Sequence, residues 1–205
     1  MARLPRPSLA HAARARYYPP MSAVALPKQR MSAEEFLAWS QTQAGRYELT
    51  GGEVFAQASE RAAHAKIKFR IAMALYEAVR SKGLPCHVLP DGMAVRIDAD
   101  TVFEPDAQLY CGPELPPDTI LVESPVIVIE VLSPSTGKND ALGKLAAYFR
   151  LPSVAHYLIV SPDQKLIFHH ARGQGVTILT RIVREGAIAL DPPGLEIALA
   201  DIYGE

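Results

Sequence analysis

Cysteine is scarce in this chain: 205 residues contain only Cys86 and Cys111. Two are too few for a disulfide framework and show no metal-site spacing, so a reducing, cytoplasmic setting is expected. Long apolar runs are missing too. The longest, PVIVIEVL, is interrupted by its glutamate and falls well short of the ~18 residues of a membrane span. Repeats and low-complexity tracts are absent. Residues 1–30 lack acid altogether, while holding Arg3, Arg6, Arg14, Arg16, Lys28 and Arg30. They also lack the apolar core of a secretory signal. Their composition loosely resembles a transit peptide, although Met21 and Met31 make an overlong start the simpler reading. Residues 1–30 are expected to be a poorly ordered basic arm preceding a single domain over 31–205.

The formal net charge of -1 conceals an asymmetry. Setting aside the six basic residues of the arm leaves 15 basic against 22 acidic residues, a body about seven charges negative. A nucleic-acid binder usually carries a basic footprint, so tight nonspecific DNA binding by the body is disfavoured. Hydrophobic residues at 49% and charged residues at 21% are ordinary globular proportions, which excludes global disorder and leaves room for a real core.

Local patterns give the order of elements. Ser32 followed by Glu35 is a capping box opening a short helix. RYELTGGEVFAQ reads as two strands about Gly51-Gly52. Ile67, Ile71, Leu75 and Val79 recur at helical spacing between about Glu60 and Lys82, and Gly83 and Pro85 stop that helix. The period then changes to strands in CHVLP, MAVRID, DAQLYC and VIVIEVL. A helix over about 139–150 follows, then strands in HYLIVSP, KLIFHHAR and VTILTRIV, with a Pro-Gly break at 192–194. The order predicts an α/β fold around a mixed sheet flanked by helices.

VIVIEVL is apolar on both faces and so belongs at the centre of the sheet. A charged Glu130 buried there needs a partner, a hydrogen bond or a metal, or else stays protonated; a plain glutamate at a strand end is the competing reading. Glu104-Pro105-Asp106 opens the preceding strand, since Pro105 marks a strand entry. Two carboxylates on neighbouring strands suit one hard divalent cation, Mg²⁺ or Mn²⁺, although Pro-Asp alone is a common turn. Asp140, Lys144 and Tyr148 share one helix face. Lys144 either pairs with Asp140 on the surface or reaches across the sheet end toward a water and a phosphate. His64 opens the long helix, where it would contact phosphate or an outer-sphere water, or merely cap. His169-His170 is read as structural in a surface strand, and Ser133, Ser135 and Thr136 as caps of the next helix. Glu53 and Glu123 have no distinguishing placement.

RYELTGGEVF, His64, EPDAQLY, VIVIEVLSPSTGKNDALGKLAAYF and VAHYLIVSPDQKLIFHH follow one another in this order. In that order they resemble the Uma-type restriction endonuclease family, a bacterial branch of the PD-(D/E)XK nuclease superfamily. The resemblance spans about residues 31–190 and implies a restriction-endonuclease-like core. It implies that Asp106 and Glu130 bind a divalent metal, Mg²⁺ or Mn²⁺, with the carbonyl of Val131. Glu48 would be an outer or second-metal ligand and Lys144 the catalytic lysine, with His64, Asp140 and Tyr148 in support. The superfamily pattern expects that lysine two residues after the glutamate, where this chain has Leu132; migration to the following helix is a known variation. The expected activity is metal-dependent hydrolysis of DNA phosphodiester bonds. The alternative is a catalytically silent nuclease-fold module that binds nucleic acid or protein. Exposed edge strands near the C-terminus suggest a homodimer.

Overall fold

A computed structural model of the chain describes residues 30–132 and 138–204, with 138–142 described by backbone alone. The expected basic arm therefore lies outside the described residues except for Arg30, and so do Ser133, Ser135 and Thr136.

Helix α1 (Ala33–Ser40) starts at the anticipated capping box: the Glu35 amide donates to Ser32 Oγ at 3.2 Å, and the Ser32 amide donates to Glu35 Oε2 at 2.8 Å. Strands β1 (Tyr47–Thr50) and β2 (Glu53–Ala56) form the hairpin. Gly51 and Gly52 turn it with φ of 56° and 82°, a left-handed pair that side chains resist. Helix α2 (Ala62–Lys82) buries Ile67, Ile71, Leu75 and Val79 and ends at Gly83, whose φ is 60°.

Six strands build the main sheet: β3 (Cys86–Pro90), β6 (Ala107–Cys111), β7 (Ile127–Val131), β8 (His156–Ser161), β9 (Leu166–Arg172) and β10 (Ile178–Val183), in the order β10-β9-β8-β7-β6-β3. Only the β7–β8 pairing in it is parallel, and helix α3 (Lys138–Tyr148) makes the crossover it requires. Strands β4 (Val95–Asp98) and β5 (Thr101–Phe103) extend the hairpin into a second sheet, β2-β1-β5-β4. The chain closes with β11 (Ala187–Leu190), β12 (Leu195–Ala198) and α4 (Leu199–Tyr203).

One face of the main sheet packs on α2, the β11–β12 hairpin and α4, around Ile71, Leu109, Ile129 and Leu158. The other packs on α3 and the small sheet, around Val95, Phe103, Val128, Tyr148 and Tyr157. This is the expected mixed α/β architecture, with β7 covered on both faces.

Two expectations need correction. Strand β9 is not on the surface: it lies between β8 and β10, and His169 and His170 are buried. His169 Nε2 stands 2.9 Å from His156 Nδ1, and His170 Nδ1 stands 2.8 Å from Thr180 Oγ1. Cys86 and Cys111 lie directly opposite each other in the antiparallel β3–β6 register and form a disulfide, a crosslink that the cysteine count does not suggest. The Pro-Gly break at 192–194 falls where expected, as the turn between β11 and β12. No helix among the described residues is long and apolar enough to cross a membrane.

Candidate active site

The two sheets join through the short linker Glu104-Pro105-Asp106, between the end of β5 and the start of β6. In the antiparallel β6–β7 register Ala107 pairs with Ile129, so Asp106 and Glu130 each stand one residue beyond that pair, at the same rim. Two clusters of charge meet there.

The first faces α3. Lys144 Nζ donates to Glu130 Oε1 at 3.0 Å and to Glu48 Oε1 at 2.8 Å, and lies 5.1 Å from the centroid of the Phe103 ring. Glu48 Oε1 also accepts from the Glu104 amide at 3.0 Å. The fully buried Tyr148 hydroxyl donates to Glu130 Oε1 at 2.9 Å. Lys144 is therefore a buried bridge between strands of the two sheets, not half of a surface pair. Asp140 belongs to α3, but its side chain is outside the described residues. Burial raises the Glu130 carboxyl to about 7: Lys144 pulls against the shift, while the charges of Glu48 and Asp106 add to it. Burial on its own would lower the pKa of Lys144, yet Glu130 and Glu48 outweigh it and hold the ammonium charged.

The second cluster faces α2. Asp106 Oδ2 accepts from the Val131 amide at 2.7 Å, and the Val131 carbonyl lies 2.8 Å from His64 Nε2. Asp106 Oδ1 lies 3.1 Å from Lys68 Nζ, which also binds Glu60 and Asp91. Arg46 reaches Glu104, Glu60 and Asp91. Burial would lower the pKa of Lys68, but hydrogen bonds to Asp91 and Glu60 raise it.

Asp106, Glu130, Val131, Lys144, Glu48, His64 and Tyr148 thus gather at one rim. Asp106 turns toward α2 and Glu130 toward α3, so their carboxylates approach the rim from different sides while each remains within the other's field. Leu132, where a lysine was expected, packs against the apolar cluster beneath α3. Lys68, Glu60, Asp91, Glu104 and Arg46 are additions. Lys68 carried a usable signal, since it interrupts the apolar face defined by Ile67, Ile71 and Leu75. Arg46, Asp91 and Glu104 carried none, because only the tertiary fold brings them together.

A mixed α/β sheet flanked by helices thus bears carboxylates and a buried lysine at one rim. Residues 33–201 match the family described as "Putative restriction endonuclease" (Uma2), and the chain belongs to that family. It is similar to an "uncharacterized protein" of Synechocystis, 26% identical over 179 residues, covering 86% of this chain and 93% of the relative. Its fold is similar to the crystal structure titled as "a putative nuclease belonging to DUF820" from Anabaena variabilis. That likeness has a TM-score of 0.66 at 14% identity and covers 85% of this chain and 98% of the other.

Proposed function

We propose that this chain is a divalent-metal-dependent phosphodiesterase that cleaves DNA, with Asp106, Glu130 and Lys144 as its catalytic residues. The observation carrying this reading is the gathering of Glu130, Lys144, Glu48 and Asp106 where β6 and β7 leave the sheet. The donors suit Mg²⁺ or Mn²⁺: Asp106, Glu130 and the Val131 carbonyl offer hard oxygens, with Glu48 alongside. Burial first, and then the charges of Glu48 and Asp106, raise the Glu130 carboxyl to about 7. When bound, the metal would lower the pKa of a water and neutralise charge on the scissile phosphate.

The chain's own groups do the rest. Tyr148 fixes the rotamer of Glu130, and the Val131 amide fixes that of Asp106. Lys144 remains an ammonium, which supports a role in stabilising phosphate charge and orienting the attacking water rather than in removing its proton. The family's description as a restriction endonuclease and the nuclease-like fold both support this reading. Edge strand β10, with Leu179 and Ile182 exposed, supports assembly as a homodimer.

The competing reading, a silent nuclease-fold module binding nucleic acid or protein, is favoured by the acidic body. Nicking of supercoiled plasmid in Mg²⁺ or Mn²⁺ separates the two. Wild type is expected to cut, and Asp106→Ala and Glu130→Ala to lose roughly 10³-fold or more, since one electrostatic stabiliser already accounts for about 10²–10³. Equal cleavage by variants and wild type rejects the assignment, and no cleavage together with no thermal shift in millimolar Mn²⁺ favours the silent module.

A further inference from the structure

The α2-side cluster contains an imidazole nitrogen that no group among the described residues satisfies. The Val131 carbonyl can only accept a hydrogen bond, so His64 Nε2, 2.8 Å away, carries the ring proton. In the neutral ring that tautomer leaves Nδ1 with a lone pair. Nδ1 is buried and has no hydrogen-bond partner, and Glu60 Oε2 stands 3.6 Å from it, beyond hydrogen-bond reach. Two acceptors facing each other repel, and either a proton or a metal ion on Nδ1 would join them.

The carboxylates around it divide their oxygens. Glu60 gives Oε1 to Lys68 and turns Oε2 toward His64; Asp106 gives Oδ1 to Lys68 and turns Oδ2 toward His64, 3.6 Å from Nε2. One ligand atom each from Glu60, His64 and Asp106 lie within 4.8 Å of one another. An ion about 2.0–2.2 Å from each donor would require these side chains to draw in around it. Charge points the same way. Glu60, Asp91, Glu104 and Asp106 face Lys68 and Arg46, a formal deficit of two positive charges.

We infer that Glu60, His64 and Asp106 form a second cation site, distinct from the Asp106–Glu130 pair, which takes an imidazole-binding divalent ion (Mn²⁺, Co²⁺ or Zn²⁺) in preference to Mg²⁺. Imidazole ligation selects that class, because Mg²⁺ keeps to oxygen and water. The Val131 carbonyl plays the part usual for a metal-bound histidine's other ring nitrogen, fixing the tautomer from behind. Lys68 remains on the opposite oxygens and screens the site. The inference shares Asp106 with the DNA-cleaving reading but does not depend on it.

The test titrates EDTA-treated full-length protein with Co²⁺ alone, followed by calorimetry and visible absorption; circular dichroism checks the fold of every variant. His64→Gln and His64→Ala should each weaken one equivalent at least about tenfold, since outer partners alone account for 10–100-fold. Lys68→Met should tighten that same equivalent by removing a neighbouring positive charge, and Glu130→Gln should leave it in place. An unchanged isotherm in both His64 variants overturns the second site, as does weaker or unchanged binding in Lys68→Met. If Glu130→Gln and the His64 variants all lose one shared equivalent, there is a single ion and the second site falls. If only the Glu130→Gln equivalent is lost, the first reading stands alone; if only the His64 equivalent is lost, the second does.

Discussion

The two sides of the rim solve the problem of crowded carboxylates differently. On the α3 side, Glu48 and Glu130 share one ammonium in nearly dry surroundings, closed by Tyr148 and Phe103. On the α2 side, four carboxylates are divided between Lys68 and Arg46, and the arginine is 31% exposed. Among the described residues the dry side has Lys144 alone as its cation, so a proton on Glu130 answers any imbalance. The wetter side has overlapping partners and solvent screening. Burial, more than the number of charges, decides which group's state is in play.

That contrast is open to attack, most forcefully at Lys144. Lys144→Met would strip from Glu48 and Glu130 the ammonium they share. Metal-free stability should fall by about 3–5 kcal/mol, the scale of a broken buried pair, measured by urea unfolding, with nicking reduced roughly 10²–10³-fold.

Proton linkage comes next. The folded-state pKa of Glu130, about 7, lies above its unfolded value near 4.5, so the folded state holds the extra proton between those pH values. Metal-free stability should therefore decline from pH 4.5 to pH 7, by on the order of 3 kcal/mol. Glu130→Gln should abolish that slope in unfolding curves at pH 5, 6, 7 and 8. The same proton must leave for Glu130 to bind a metal, so nicking should rise with pH toward a plateau above about 7.

Tyr148→Phe removes a single donor to Glu130. A loss of about 1.5–3 kcal/mol is expected for a hydrogen bond to a charged group, along with an upward move of the pH profile. The smallest effect belongs to the wet side: Arg46→Gln should cost no more than about 1 kcal/mol, because its partners are screened and shared with Lys68. A larger loss there than at Tyr148 would reverse the comparison.

Much of this was legible in the chain. Period and breakers marked nearly every strand of the main sheet, because β7 and β8 are continuous apolar runs and α2 keeps a strict apolar stripe. Thr101–Phe103 escaped notice because three residues are too few to show a period. The burial of His169 was hidden by its polarity, which the His156 contact answers only in three dimensions. At the rim, Glu130 stood out as a charge in an apolar strand, and the family pattern pointed to Asp106 and Lys144. Arg46 and Asp91 stood on segments with no local reason to meet.

The ammonium that balances Glu130 rides on a helix rather than on the strand next to it, and this bears on how the domain is put together. Until α3 docks through Tyr148 and Leu145, Glu48 and Glu130 confront each other bare across the join of the two sheets. With α3 undocked, the Glu48–Glu130 pair therefore lacks the ammonium that balances it. Docking of α3 and the pairing of these two carboxylates with Lys144 become one event.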